Sequence, residues 1–356
     1  MMLKDLNILL VTNSKEGAKL KDDIYSIKDI RQHVKTCPFI DAWNIIVESK
    51  PNVVIFVAED SYESYLQLVK KTKAYYHGVY IMFVSNNTDS EFILDAFKSG
   101  IKDYFKMPCA IDQLKGNLEA IYNEINEIQK HAVNNKIISV FSNKGGIGVT
   151  TVATNLAVAL AQDKSNRVLL CDFVFQHADI SIFLDAEAHF TINEIINNMN
   201  RIDKVFLDNS LMRTSEGLFL LNSPEKPEDS DYITAKHLSD ALTILKPYFD
   251  FIVVDAAHDY SDSSIAVFDA SDVILLLLTL ELPSIRNCGR TLEVFQKLRY
   301  ERDKVKLVVN RTNARNQIDV KLVEDQLNYP IFAKLPNDYS TVVKAINNGR
   351  SIFKVL

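Results

Sequence analysis

Lys144-Gly145-Gly146-Ile147-Gly148-Val149-Thr150-Thr151 gathers a cation, several glycines and two hydroxyls into one short run. Glycines let a backbone curl until successive N–H groups point inward. Anions bind such a cradle, most strongly where a helix begins. A threonine hydroxyl at the end of the run can reach a Mg²⁺ ion. Two residues depart from the standard phosphate-binding pattern: Asn143 stands at its first glycine, and Val149 stands at the lysine that precedes the threonine. The run offers phosphate binding with one cation fewer than usual, which leaves open whether a bound nucleotide is cleaved.

Two carboxylates belong to the same chemistry. Arg167-Val168-Leu169-Leu170-Cys171-Asp172 and Phe249-Asp250-Phe251-Ile252-Val253-Val254-Asp255 are apolar runs that close on aspartate. An aspartate ending a strand at the carboxyl edge of a parallel sheet can hold a Mg²⁺-bound water beside phosphates. His177 and His258 follow these aspartates closely and are the nearest imidazoles. Arg286, Arg290 and Lys297 fall near one helix face, opposite Ile285, Leu292, Phe295 and Leu298. That arrangement reads first as a solvated surface and second as a patch for non-specific DNA binding.

Positioning the run requires a strand before it and a helix after it. Ile137-Ile138-Ser139-Val140-Phe141 supplies the strand, and Val152, Leu156, Ala159 and Leu160 predict one apolar helix face. Upstream, Asn7–Val11, Val53–Val57, Val79–Val84 and Asp103–Lys106 read as strands, with a helix over Asp89–Ser99 closed by Gly100 and another over Ile111–Lys130. Alternating strands and helices predict an α/β chain whose sheets are mostly parallel. The expected division is a first domain at 1–130, a polar linker at 131–136 and a second domain at 137–356, in keeping with 356 residues. A net charge of -6 argues against a dedicated nucleic-acid binder. Cys37, Cys109, Cys171 and Cys288 are scattered and match no metal spacing, which suggests a reducing cytoplasm. Val273–Leu278 is too short to span a membrane.

Before Asp103 the sequence Ala96-Phe97-Lys98-Ser99-Gly100-Ile101-Lys102, with Pro51-Asn52, Ser85 and Met107-Pro108, resembles the receiver domain of response regulators. The resemblance implies a flavodoxin-like fold. Its phosphoacceptor position is Val57, its acidic pair is Asn13-Ser14 and its lysine position is Met107, so phosphotransfer is not expected and contact with a partner is. Glu59 and Asp60 are the nearest carboxylates beyond the acceptor position. A generic flavodoxin-like domain is the plainer alternative.

From about Lys136 onward the sequence resembles the deviant Walker A ATPases, the MinD/ParA group, and implies a P-loop NTPase fold. By that resemblance Lys144 is the signature lysine, reaching across a homodimer to the partner's phosphates. Gly145, Gly146, Ile147, Gly148 and Val149 form the loop, Thr150 meets Mg²⁺ with Asp172 and Asp255, and Thr151 meets a phosphate oxygen. Val308-Val309-Asn310-Arg311 is similar to the segment whose Asn reads adenine, although Asn310-Arg311 alone also fits a strand-end turn. Leu335-Pro336-Asn337-Asp338 is similar to the loop over that base. Asp172–Asp179, Arg201–Leu207, Gly217–Leu221 and Pro224 resemble the CpaE/TadZ branch, which joins an atypical receiver to such an ATPase.

That branch implies a cytoplasmic factor, at a cell pole, for localising and assembling Flp-type (tight adherence) pili with a secretion ATPase. ATP and Mg²⁺ are the expected ligands. Val174 stands where relatives carry a second acid, so hydrolysis is expected to be very slow or absent. The chain ends without a basic amphipathic helix, so direct membrane insertion is not expected. The alternatives are a ParA-like partitioning ATPase that binds DNA, or a nucleotide-free scaffold.

Overall fold

The computed structural model describes residues 6–27, 33–76, 78–132, 135–176, 178–186, 189–313 and 317–355. They divide into two compact units: Met1–Lys130 with Asn198–Phe206, and His131–Asn197 with Leu207–Leu356. The division differs from the expected one because Asn198–Phe206, which lies late in the chain, groups with the first unit. Within that unit Lys102 Nζ lies 2.6 Å from Glu124 and 3.3 Å from Asp203, and Glu124 also accepts the Lys204 backbone N–H.

The first unit is a parallel sheet in the order β2-β1-β3-β4-β5, one of the common doubly wound orders. Its strands are β1 (Ile8–Thr12), β2 (Val34–Cys37), β3 (Val53–Ala58), β4 (Tyr80–Ser85) and β5 (Asp103–Lys106). Its helices are α1 (Lys15–Ser26), α2 (Phe39–Ser49), α3 (Tyr62–Tyr75), α4 (Ser90–Lys98) and α5 (Ile111–Ala132). Alternate strand residues feed two cores, as the pleat requires. Ile8, Leu10, Ile55 and Val57 pack with α1 and α5, while Leu9, Val11, Val54 and Phe56 pack with α2, α3 and α4. Asp89 caps α4 and Gly100 (φ 103°) follows its end, as the sequence indicates. The positions expected to lack a phosphoacceptor site serve structure: Ser14 caps α1, Asn13 accepts the Phe39 N–H, and Val57 is buried at the end of β3.

The second unit has an eight-stranded sheet in the order β13-β12-β11-β6-β10-β7-β9-β8, parallel except at β8–β9. Its strands are β6 (Lys136–Phe141), β7 (Val168–Phe173), β8 (Met212–Arg213), β9 (Phe219–Leu221), β10 (Phe251–Ala256), β11 (Val273–Leu278), β12 (Val305–Thr312) and β13 (Ile331–Pro336). The helices are α6 (Val149–Ala161), α7 (Ile180–Phe183), α8 (Ile192–Asn197), α9 (Lys204–Ser210, which begins in the segment grouped with the first unit), α10 (Ala235–Leu245), α11 (Asp262–Ala270), α12 (Leu282–Lys297), α13 (Val320–Leu327) and α14 (Tyr339–Asn347).

The buried face of α6 is Ala153, Ala157, Val158 and Ala161, displaced from the expected stripe. Val152, Leu156 and Leu160 are half-buried and Ala159 is exposed. Small side chains let this helix lie close on β6, β7 and β10, and the larger ones flank the contact. Instead of a free linker at 131–136, α5 runs to Ala132 and β6 begins at Lys136, with 133–134 outside the described residues. Among the described residues no helix is long and apolar enough to cross a membrane.

Candidate functional site

The site gathers at the carboxyl edge of the second sheet. β6 leads into the glycine-rich turn, and Gly148 at φ 100° begins α6. Gly146 (φ 75°) is also left-handed, a conformation that L side chains rarely adopt. A Cβ at Gly148 would sit 2.8 Å from the Asn310 amide nitrogen, so the glycine also serves a close approach. That amide, at the end of β12, donates to the Ile147 carbonyl at 2.7 Å. Asn310 therefore ties β12 to the turn with one of its amide N–H groups.

Val149, the residue after Gly148, is buried. It is 2% exposed and packs with Ile147, Val140, Ala153 and Val308. The side chain at the usual lysine position has become part of the core. Lys144 is partly exposed, and its Nζ lies 3.0 Å from the carboxylate of Glu281, the residue just before α12.

β7 and β10 are paired in register so that Asp172 and Asp255 lie side by side. Both are buried; burial pushes the Asp172 carboxyl up to about 6, and burial followed by the charge of Asp172 raises Asp255 to about 8. Their partners differ. Asp172 accepts backbone N–H groups of Val174 (3.1 Å) and Ile180 (3.3 Å), so it shapes the loop after β7. The nearby Thr150 hydroxyl favours the ionised Asp255 carboxyl, whose Oδ1 is buried with no hydrogen-bond partner. A divalent cation suits this set: two carboxyl groups of raised pKa that would shed protons as it binds, one orphan oxygen, and a threonine hydroxyl near the same carboxylate.

Val174, Phe173, Phe175, Ile233, Leu238 and Val267 supply the apolar lining of a cavity of about 390 Å³ beside the site. His258 lines the same cavity, and its Nδ1–H donates to the Ser142 carbonyl at 2.8 Å. His177 lies outside the described residues. Arg311, next to last in β12, lies in the left-handed region, φ 57°. Pro336 is exposed, and Asp338 caps α14 by accepting the Thr341 N–H and the Ser340 hydroxyl, which holds its carboxyl below the usual range. Gly145 and Gly146 are exposed and Thr151 is half-buried. Glu281 and Tyr260 were absent from the sequence reading. The only local sign of Glu281 is an acid just ahead of Leu282-Pro283, where a helix starts.

Residues 135–308 match a family described as AAA domain. The septum site-determining protein MinD of Synechocystis is 28% identical over 225 residues, covering 61% of this chain and 82% of that protein. A ParA family ATPase of Chlorobium tepidum superposes with a TM-score of 0.58 at 27% identity, covering 62% of this chain and 92% of that one. MinD of Pyrococcus horikoshii, solved with Mg-ADP, superposes with a TM-score of 0.53 at 22% identity over 62% of this chain and 88% of that one. The second unit is thus similar to the P-loop ATPase domains of MinD and ParA proteins.

Proposed function

We propose that this chain binds Mg²⁺-ATP at Lys144–Thr151, pairs with a second copy around it, and acts as a localisation and assembly factor for a pilus of the Flp type or a related secretion machine. The observation that carries the nucleotide reading is the orphan Asp255 oxygen beside Thr150, at the start of the helix that follows the glycine turn.

In this reading Thr150, Asp255 and, more remotely, Asp172 hold Mg²⁺, which neutralises phosphate charge when bound. The turn's amides and the amino end of α6 take the phosphates. Asn310 keeps its second amide N–H for the adenine edge, and the segment with Arg311, Pro336 and Asp338 borders the base. Lys144 exchanges Glu281 for the phosphates held by the other copy. Loss of a lysine at position 149 removes a charge-assisted contact of about 1.5–3 kcal/mol, which backbone amides partly offset. Val174 sits among apolar groups and cannot orient water, so ATP serves as a joining ligand with little turnover.

The first unit resembles a receiver, and its strand order supports that likeness. With Val57, Asn13 and Ser14 at the acidic positions, its role is to bind a protein of the assembly. Gene neighbours encoding pilins and a secretion ATPase favour the pilus assignment, and partition-system neighbours oppose it. Arg286, Arg290 and Lys297 are exposed on α12 and favour a second reading, DNA binding as in partitioning ATPases. Glu293, exposed on the same helix, weakens that row, and ATP-dependent binding that falls steeply with salt would establish it.

Calorimetry with ATP and Mg²⁺, read beside oligomeric mass, tests the central claim on wild type and Lys144→Ala. Wild type is expected to bind ATP and dimerise. Lys144→Ala is expected to keep its nucleotide affinity within a few-fold and to lose the ATP-dependent dimer. No ATP binding by wild type, or equal dimerisation of both proteins, would overturn it.

A further inference from the structure

The loop after β10 is joined to the residues that open the glycine turn by two separate side-chain bonds. His258 Nδ1–H donates to the Ser142 carbonyl at 2.8 Å. Asn143 Nδ2–H donates to the Tyr260 hydroxyl at 2.8 Å. The second bond continues with a consistent direction: Tyr260 donates to Thr291 Oγ1 at 2.7 Å, and Thr291 donates to the Asn287 carbonyl at 2.9 Å within α12. The Tyr260 ring lies 5.9 Å from the ring of Phe141, the last residue of β6. Thr291 is fully buried, so this chain of bonds ends in the core and has a fixed anchor.

We propose that Tyr260 and His258 are positioning residues that hold the opening of the glycine turn in its phosphate-binding shape. Asn143, which occupies the place of the usual first glycine, is the side chain through which Tyr260 acts. A glycine there would leave the Tyr260 hydroxyl without its donor. The asparagine is thus part of an added support rather than damage to the motif. The same loop begins just past Asp255, so a triphosphate that engages Asp255 pulls on a segment already tied to Ser142 and Asn143. A diphosphate engages it less. The two bonds therefore act on discrimination between ATP and ADP, a consequence that rests on the nucleotide reading above.

Tyr260→Phe keeps the ring and removes only the hydroxyl, and His258→Gln keeps an amide donor at a changed reach. Two measurements on the full-length chain separate the outcomes. Hydrogen exchange without nucleotide reports the turn directly: Tyr260→Phe is expected to speed exchange of the 143–148 amides several-fold while β6 and α6 keep their protection. Calorimetry with ATP and with ADP, each with Mg²⁺, is expected to show ATP affinity falling roughly five- to tenfold in Tyr260→Phe, the range for one lost hydrogen bond. ADP affinity is expected to change less than twofold, and His258→Gln to move both readouts in the same direction more weakly. Unchanged exchange in Tyr260→Phe overturns the positioning role. Equal losses of ATP and ADP affinity overturn the link to discrimination. If the wild type binds neither nucleotide, the nucleotide reading falls, and exchange alone then decides whether the pair shapes the turn.

Discussion

Asp255 lies close to the Thr150 hydroxyl and has a carboxylate oxygen buried without a partner, in register with a second buried aspartate. Burial, then the charge of Asp172, raises its pKa from 3.8 to about 8. An unfolded chain releases this proton near pH 4, whereas the folded protein without a cation holds it to about 8. The unfolded state binds fewer protons across that window, so stability falls as pH rises through it. Asp172 adds the same sign up to about 6. Asp255→Asn imitates the protonated carboxyl. The variant is expected to gain thermal stability over wild type from about pH 5 to pH 8 and to lose the Mg²⁺ dependence of nucleotide binding. Unfolding curves across that range check the first expectation, and a variant whose pH dependence parallels wild type would show that Asp255 is ionised in the folded protein. Val149 teaches a related lesson from the opposite direction. Its burial with Val140 and Val308 means that a lysine placed there would have to leave an apolar cluster before reaching a phosphate.

Helix α12 is bonded to the glycine turn at its start, through Glu281 and Lys144, and at its middle, through Thr291 and Tyr260. The Glu281 pair is exposed, and such pairs contribute about 0.2–1 kcal/mol, too little to hold the fold. It is enough to compete with phosphates for Lys144. Glu281→Gln is therefore expected to leave the melting temperature unchanged and to lower the ATP concentration needed for dimerisation roughly two- to fivefold. Light scattering against ATP concentration measures the midpoint, and an unmoved midpoint would make the pair a bystander. None of these ties was legible in the sequence, because each joins residues 100 or more positions apart or depends on a side-chain rotation. The strands that carry Asp172 and Asp255 were legible, since a parallel strand covered on both faces must be continuously apolar. β2 escaped notice because only its end residues, Val34 and Cys37, are buried. The face of α6 was misplaced by about one residue for a packing reason: hydrophobicity points to valine and leucine, whereas close approach to the sheet selects alanine.

At the scale of the molecule, the boundary expected at 130 to 137 omits a piece of the first unit. Asn198–Phe206 groups with Met1–Lys130, where Asp203 pairs with Lys102 and the Lys204 N–H bonds Glu124. A Cβ on Gly100 would meet the Asn200 carbonyl at 3.3 Å, so the segment lies close against that turn. The Lys102–Glu124–Asp203 group is only partly exposed, and loss of one member leaves a poorly solvated charge behind. A fragment spanning 137–356 keeps the glycine turn, Asp172 and Asp255, none of which lies in the segment, but deprives Asn198–Phe206 of Lys102 and Glu124. It is expected to bind nucleotide as the whole chain does while being cut selectively within or beside 198–206 under limited proteolysis, a segment protected in the full-length protein. Mass spectrometry of the first fragments locates the cuts. Equal protection in both proteins would show that the segment is held by its own local structure. Cutting combined with lost nucleotide binding would show that the site depends on the segment's order, which would make Lys102→Met in the full chain the next variant to bind.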